Sequence, residues 1–289
     1  MHHRHTDDHD LGLAHDLNTL AHQMAGRRGA LRWLAAGSAI ALLGCGGGGD
    51  DAGTGTTTVS GTGTGSGTGT GTSTCSVIPE ETAGPYPGDG SNSSNGSVAN
   101  VLALSGVVRS DIRTSIGGAT GTASGVPLTI IIELVNTNGS CADLSGYAIY
   151  LWHCDAVGRY SMYSSGVTAE NYLRGVQPTA TDGTATFTSI FPGCYSGRMP
   201  HIHFEVYRSS SVATQYSNKL RTSQIALPRD TCSTVYNGSS SYSASIANLA
   251  AISFSTDNVF SDGVTTQLAT VTGDLTSGYT ARLQVGIAA

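Results

Sequence analysis

Thr184-Ala185-Thr186-Phe187-Thr188-Ser189-Ile190-Phe191-Pro192-Gly193-Cys194-Tyr195-Ser196-Gly197-Arg198-Met199-Pro200-His201-Ile202-His203-Phe204-Glu205-Val206-Tyr207 contains two runs rich in β-branched and aromatic residues, 184–190 and 201–207, on either side of a Pro/Gly turn. Runs of this kind, bounded by turn residues, are strand signals. Residues i and i+2 of a strand share a face, so His201 and His203 project together, at a spacing that lets two imidazoles share one ion. Similar runs at 101–108, 128–135, 147–154, 221–227, 265–271 and 280–287 bring the expectation to about eight strands in an all-β sandwich. Only 243–250 offers a short helical pattern, and no internal repeat is present.

The part that must fold is 75–289. The chain's 289 residues include 39 Gly and 9 His and are only 12% charged. Twelve of those Gly lie between Gly46 and Gly71, and six of the His fall at or before His22. Residues 46–74 are almost entirely Gly, Thr and Ser, a composition that cannot bury enough apolar surface to offset its ordering entropy. They read as a disordered, flexible tether reaching roughly 30 Å. Within 1–45, Arg27-Arg28 and Arg32 precede an apolar run at 33–43 that is too short to span a ~30 Å hydrocarbon core. It reads as an export signal, by the twin-arginine or the general secretory route, with Met1 or Met24 as the first residue. The run ends Leu42-Leu43-Gly44-Cys45, similar to a bacterial lipobox, so the expectation is an exported cell-envelope protein with a lipid anchor on Cys45 as its membrane contact. Six Cys suit an oxidising compartment. With Cys45 set aside, Cys75, Cys141, Cys154, Cys194 and Cys232 are odd in number, so at least one thiol has no partner within the chain. Lys219 is the single lysine, and no basic stripe is present that could engage nucleic acid.

Three His remain in 75–289: His153, His201 and His203. Two tyrosines stand at turns beside them, Tyr160 closing Trp152-His153-Cys154-Asp155-Ala156-Val157-Gly158-Arg159-Tyr160 and Tyr195 following Pro192-Gly193-Cys194. Phenolate is a hard anion and imidazole an intermediate donor, a combination that suits a trivalent metal and points to ferric iron. A free phenol has a pKa near 10, so the metal's own charge would have to ionise it. His153, placed by alternation alone, is expected to pack or to support the site rather than to ligate.

Gly158-Arg159-Tyr160, Pro192-Gly193-Cys194-Tyr195, Arg198 and His201-Ile202-His203, in this order and at these separations, resemble the active-site set of the intradiol ring-cleavage dioxygenases. That group contains the protocatechuate and catechol dioxygenases. The similarity runs from Glu80-Glu81-Thr82-Ala83-Gly84-Pro85-Tyr86 to about Leu227, and the exported form resembles a branch with twin-arginine leaders. The resemblance implies one Fe(III) per chain held by Tyr160, Tyr195, His201 and His203, with Arg198 against the substrate and Gln224 and Tyr86 in its pocket. It implies Tyr195 as the phenolate that leaves with a catechol proton. The implied reaction inserts both atoms of O2 into a catechol between its hydroxyl-bearing carbons, giving a muconate-type diacid. Two features depart from the family: Ala226 and Leu227 stand where two aromatics often follow the Gln, and Cys194 stands where a larger residue is usual. The few charged side chains include no obvious cation for a substrate carboxylate, which favours uncharged or large catechols. Two other readings compete. One is a non-catalytic transthyretin-like sandwich that binds a ligand or partner at the cell surface, and the other is zinc or copper on His201 and His203 alone.

Overall fold

The structure is a computed structural model that describes residues 75–289; the leader, Cys45 and the tether lie outside the described residues. In chain order the strands are β1 (Asp89–Ser94), β2 (Ser97–Asn100), β3 (Pro127–Asn136), β4 (Ala142–Asp143), β5 (Ala148–Trp152), β6 (Arg174–Pro178), β7 (Thr184–Ile190), β8 (His201–Tyr207), β9 (Lys219–Ala226), β10 (Thr270–Asp274) and β11 (Gly278–Ile287). Two helices, α1 (Arg229–Gly238) and α2 (Ser243–Ala250), follow β9. One sheet has the order β6-β5-β8-β9 and is antiparallel throughout. The other has the order β10-β11-β3, with β4 and β7 both pairing along β3 and β11 running parallel to it.

The two sheets close on one apolar core. Ile130, Ile132 and Phe187 from one sheet pack in a single cluster with Ile149, Leu151, Ile202, Phe204 and Val206 from the other. The opposite face of the β6-β5-β8-β9 sheet is covered too. Tyr150, Trp152, Val176 and Tyr207 pack there with Val101, Leu102, Tyr160 and Tyr163 from loops. Every residue of β8 is therefore buried. Its even-numbered residues supply the sandwich core, and its odd-numbered residues, His201, His203, Glu205 and Tyr207, face the second, polar-lined interior.

Several sequence expectations need correction. Residues 101–108 are not a strand: Leu104 and Val107 donate backbone bonds to Val101 and Leu104, closing turns, and Gly106 has φ +88°. Val101 and Leu102 are apolar because they cover the outer face of the first sheet. The run at 265–271 contributes only its end, with pairing at Thr270–Asp274. Strand β6 was not anticipated because Arg174-Gly175-Val176-Gln177-Pro178 has Gly and Pro at strand positions. Gly175 is required there, since a Cβ would come within 2.5 Å of Ile112 Cγ2. Helix α1 was also missed, whereas α2 falls where the helical pattern lay.

Cys75 and Cys141 form a disulfide, and Cys154, Cys194 and Cys232 are buried free thiols. No bridge stiffens the Tyr195 turn at Cys194, whose Sγ lies 3.4 Å from the Arg198 carbonyl oxygen. The disulfide closes a separation of 66 residues, and it fixes the start of the segment that crosses the site. Cys75→Ser with Cys141→Ser is expected to lower stability by about 2–4 kcal/mol through loop-closure entropy. Denaturant unfolding of the two proteins checks this; equal midpoints would show that the bridge does not constrain the unfolded chain.

Candidate functional site

The outer face of β8 sets the site. His203 lies opposite Trp152 on β5 and opposite Gln224 on β9, and His201 lies opposite Ala226. The His203 ring is stacked on Trp152, with centroids 4.8 Å apart and an interplanar angle of 4°. His201 is oriented differently, its Nδ1–H donating to the Met199 carbonyl at 2.6 Å, which turns Nε2 outward as an acceptor.

Two loops bring the phenols. After β5, Asp155 accepts the backbone N–H groups of Val157 and Arg159 and pairs with the Arg159 guanidinium at 2.8 Å. This folds the loop that presents Tyr160. The second loop holds Tyr195 and presses on the first. A Cβ on Gly193 would come within 2.6 Å of the Ala156 carbonyl oxygen, so only Gly fits that approach. The Gly193 N–H bonds to the Asp155 carbonyl, the Cys194 N–H to Ser245 Oγ on α2, and Asn248 Nδ2 donates to the Cys194 carbonyl. The Tyr195 backbone is thus braced by neighbours, so movement of this residue is rotation of its side chain rather than a swing of the turn.

Four side chains converge. His201 Nε2 lies 3.1 Å from His203 Nε2, 3.3 Å from Tyr195 Oη and 3.4 Å from Tyr160 Oη. A neutral imidazole acceptor nitrogen has one in-plane lone pair and takes one hydrogen bond well. Three polar atoms around that lone pair exceed what hydrogen bonding explains, and they are spaced as neighbouring donors around one ion with bonds of ~2.1 Å. The phenols point into this cluster and do not merely pack in the sandwich. Burial pushes both imidazoles well below their ordinary pKa and keeps them in the neutral, ligating form; the Arg198 charge adds to this at His201, and His201 adds to it at His203. Burial, followed by the neighbouring Tyr195, pushes the Tyr160 phenol well above its ordinary value, so it ionises only against a strong positive charge. Among the described residues no group of three or more His, Cys, Asp or Glu is placed to hold a metal. The donor set is mixed, two His with two Tyr. Glu205, next on the same face, is engaged by Lys219 at 2.9 Å and by the Tyr207 hydroxyl at 2.7 Å. His153 stands apart, bonded to the Cys154 carbonyl and to Ser189 Oγ.

Arg198 is 7% exposed beside this cluster. Its Nε donates to both oxygens of Asp257, at 3.2 and 3.0 Å, and its Nη2 to Gln224 Oε1 at 2.7 Å. Gln224 in turn donates to the Thr82 carbonyl at 2.9 Å. Asp257 is fully buried and also accepts the backbone N–H groups of Met199, Val259 and Phe260. The segment 80–86 lies across this network. Tyr86 packs on the Tyr160 ring at 4.9 Å, and a Cβ on Gly84 would come 3.5 Å from His203 Cε1. The sequence reading missed Asp257, Trp152, Gly84 and the buried Arg174, which ties 86–87 to the Tyr160 loop through the carbonyls of Tyr86, Pro87 and Ser161. Gly84 lay inside a quoted motif; Asp257 had no local signal, acting across 59 residues.

Residues 109–209 match the Dioxygenase_C family, described as Dioxygenase. That span contains Tyr160, Tyr195, Arg198, His201 and His203, while Tyr86, Gln224 and Asp257 fall outside it. No curated protein matches the chain. Among solved structures, an intradiol ring-cleavage dioxygenase from Tetranychus urticae is 23% identical with a TM-score of 0.54, over 74% of this chain and 95% of its own. A further dioxygenase crystal structure gives 24% and 0.54, over 74% and 94%. The dioxygenase domain of a dioxygenase and carbohydrate-binding protein fusion from the cellulolytic bacterium Streptomyces sp. SirexAA-E gives 22% and 0.44, over 73% and 98%. The first two give this chain the intradiol dioxygenase fold. In family match and in fold alike, the chain resembles the intradiol ring-cleavage dioxygenases.

Removing the carboxylate from the Arg198 pair leaves a buried unpaired charge and three backbone donors without their acceptor. Asp257→Ala is therefore expected to cost about 3–5 kcal/mol. Urea unfolding measures it, and a cost below about 1 kcal/mol, the scale of an exposed pair, would show that the pair is not formed.

Proposed function

We propose that the chain is an intradiol dioxygenase that holds one ferric ion on Tyr160, Tyr195, His201 and His203 and inserts both atoms of O2 into a catechol between its hydroxyl-bearing carbons, giving a muconate-type diacid. The observation that carries this reading is the convergence of three polar atoms on the single lone pair of His201 Nε2. A ferric ion bound there would supply the charge that ionises both phenols, the Lewis acidity that activates the catechol, and visible phenolate charge-transfer colour.

The protein's own residues divide the remaining work. His201 and His203 are fixed by the Met199 carbonyl and by the Trp152 ring, so they hold position throughout. Tyr160 is 1% exposed, while Tyr195 is only half-buried. Tyr195 is thus the group that can rotate outward, and its departure opens the side from which a catechol reaches the cluster. Its Oη takes one catechol proton as it leaves and the second proton passes to solvent hydroxide, so the diol enters as a dianion without stranding a buried charge. Arg198 is gripped on Nε and Nη2, and its Nη1 makes no hydrogen bond among the described residues. That edge faces the negative charge developing on the ring as O2 adds, and a donor aimed in this way is worth ~10²- to 10³-fold in rate. Gln224 sets the guanidinium's rotation, and Tyr86 walls the Tyr160 side of the pocket.

We also infer that the protein is exported and held to the envelope by a lipid on Cys45. The Cys75–Cys141 bridge supports an oxidising compartment. Cys45→Ala should move the protein from the membrane to the soluble fraction; a wild type already soluble and beginning elsewhere than Cys45 would overturn the anchor.

Purified protein should contain one iron per chain, be red to brown, and lose most of the visible band in Tyr160→Phe. His203→Ala should lose the metal. Arg198→Lys, which keeps a charge beside Asp257, should retain iron and colour and lose turnover by about 10²-fold. A colourless zinc protein, or a yellow semialdehyde product in place of a diacid, contradicts the reading.

A further inference from the structure

The two imidazoles of the cluster are held by different means. His201 donates its Nδ1–H to the Met199 carbonyl at 2.6 Å. A metal-ligating histidine ordinarily makes such a bond with its second nitrogen, and the bond both fixes the ring and raises its basicity. His203 lacks it. Its Nδ1 is buried and has no hydrogen-bond partner among the described residues, although its Nε2 reaches the cluster 3.1 Å from His201 Nε2. Something other than a hydrogen bond at Nδ1 must set this ring.

An indole face lies against it. Trp152 is directly opposite His203 in the register of β5 and β8, and the two rings are parallel within 4° at 4.8 Å. Tyr150, two residues back on the same face of β5, stacks on Trp152 at 5.0 Å and 21°. The Tyr150 hydroxyl donates to the Pro87 carbonyl at 2.6 Å and accepts from Arg174 Nη1 at 3.3 Å, which pins the far end of the stack. Gly84 covers the Cε1 edge of His203, where a Cβ would stand at 3.5 Å. Trp152 is itself fully buried, and its Nε1–H finds no acceptor among the described residues. A buried donor without a partner is unfavourable, and a phenyl ring would pack there without one. Filling space therefore does not account for an indole at this position.

Resting on the iron-binding part of the function proposed above, we propose that Trp152 is a positioning residue for His203, its indole face taking the place of the missing hydrogen-bond acceptor. An imidazole whose Nε2 binds a trivalent ion takes on part of the ion's positive charge. The indole face carries the negative end of the ring quadrupole, and the 4.8 Å separation lies within the ~6 Å over which such a face attracts a cation. The stack thus holds the plane of the ring before the metal arrives and strengthens once it is bound. His201, with its own acceptor, does not depend on it. The electron density of the ring at residue 152 therefore governs metal affinity and leaves the stability of the metal-free protein unchanged.

Trp33 and Trp152 are the chain's two tryptophans, so in Trp33→Phe a tryptophan analogue enters only at residue 152. Fluorine withdraws density from the indole face and alters its size little. Monofluoro- and difluorotryptophan are incorporated in this background, and Trp152→Phe and Trp152→Leu are made beside them. Ferric ion affinity is measured by competition with citrate, and urea unfolding of the metal-free proteins is the control. Affinity should fall stepwise with fluorination, by several-fold in all, while the metal-free midpoints stay together. Trp152→Leu, which removes the π face, should bind iron about 10- to 100-fold more weakly, the usual cost of losing a ligand histidine's partner, and Trp152→Phe should recover most of that. Should Trp152→Leu not fold, the fluorinated pair and Trp152→Phe decide. If the wild type binds iron but affinity is flat across the fluorinated pair, or Phe and Leu weaken it alike, the indole only fills space; this inference then falls and the iron site stands. If the wild type binds no ferric ion, both fall.

Discussion

Strand β8 has water on neither face, and much of the rest of the molecule follows from that burial. A strand buried on both sides usually reads as a continuous apolar run, yet this one carries His201, His203 and Glu205 in alternation with Ile202, Phe204 and Val206. The apolar half is explained by the sandwich. The polar half requires a second interior with its own partners, which the loop from 153 to 173, the turn at 192–198 and the segment 80–88 together build. Glu205 is satisfied within that interior by Lys219 and Tyr207, and its carboxyl is pushed up to about 7 by burial. His201 has the Met199 carbonyl on its Nδ1, but its Nε2 meets only His203 Nε2 and the two phenols, which is why this pair defines the site.

The same interior explains why an ion pair is retained where apolar packing would hold the chain more simply. Burying Arg198 with Asp257 costs several kcal/mol of desolvation per ion, which mutual attraction offsets only when the remaining donors and acceptors are also filled. Asp257 fills them with three backbone N–H groups. What the arrangement provides is direction: a guanidinium gripped along one edge has few ways to turn. Gln224 then links that direction to Thr82, so the N-terminal segment and the C-terminal residues meet through one side chain.

The convergence of the four side chains was legible in the sequence because their residue types are scarce and their spacings local. With only three His in 75–289, two of them at i and i+2, the face they share follows from strand geometry alone. Tyr160 and Tyr195 were found from turn residues that the structure uses, Gly158 with φ +90° and Gly193 against Ala156. What failed was tertiary. Residues 101–108 are apolar to cover a sheet and not to join one, and β6 is a strand held at the sheet's edge by its neighbours despite Gly175 and Pro178. Asp257 and Trp152 act only across the folded molecule, and no local pattern marks a side chain whose partner is dozens of residues away.

The disulfide at Cys75 also has a mechanical consequence. The segment from Ile78 to Gly88 reaches from the edge of β11, where Ile78 bonds to the Gly286 carbonyl, to Arg174, passing over His203 on the way. A tension arriving along the chain from the N-terminal side would otherwise peel this segment off residue by residue, lifting Gly84 and freeing Gln224. Because Cys75 is bonded to Cys141, just beyond the end of β3, such a load passes into the central sheet before it reaches Ile78. The covalent link thus acts as a strain relief, uncoupling the cover of the site from whatever pulls on the chain ahead of it.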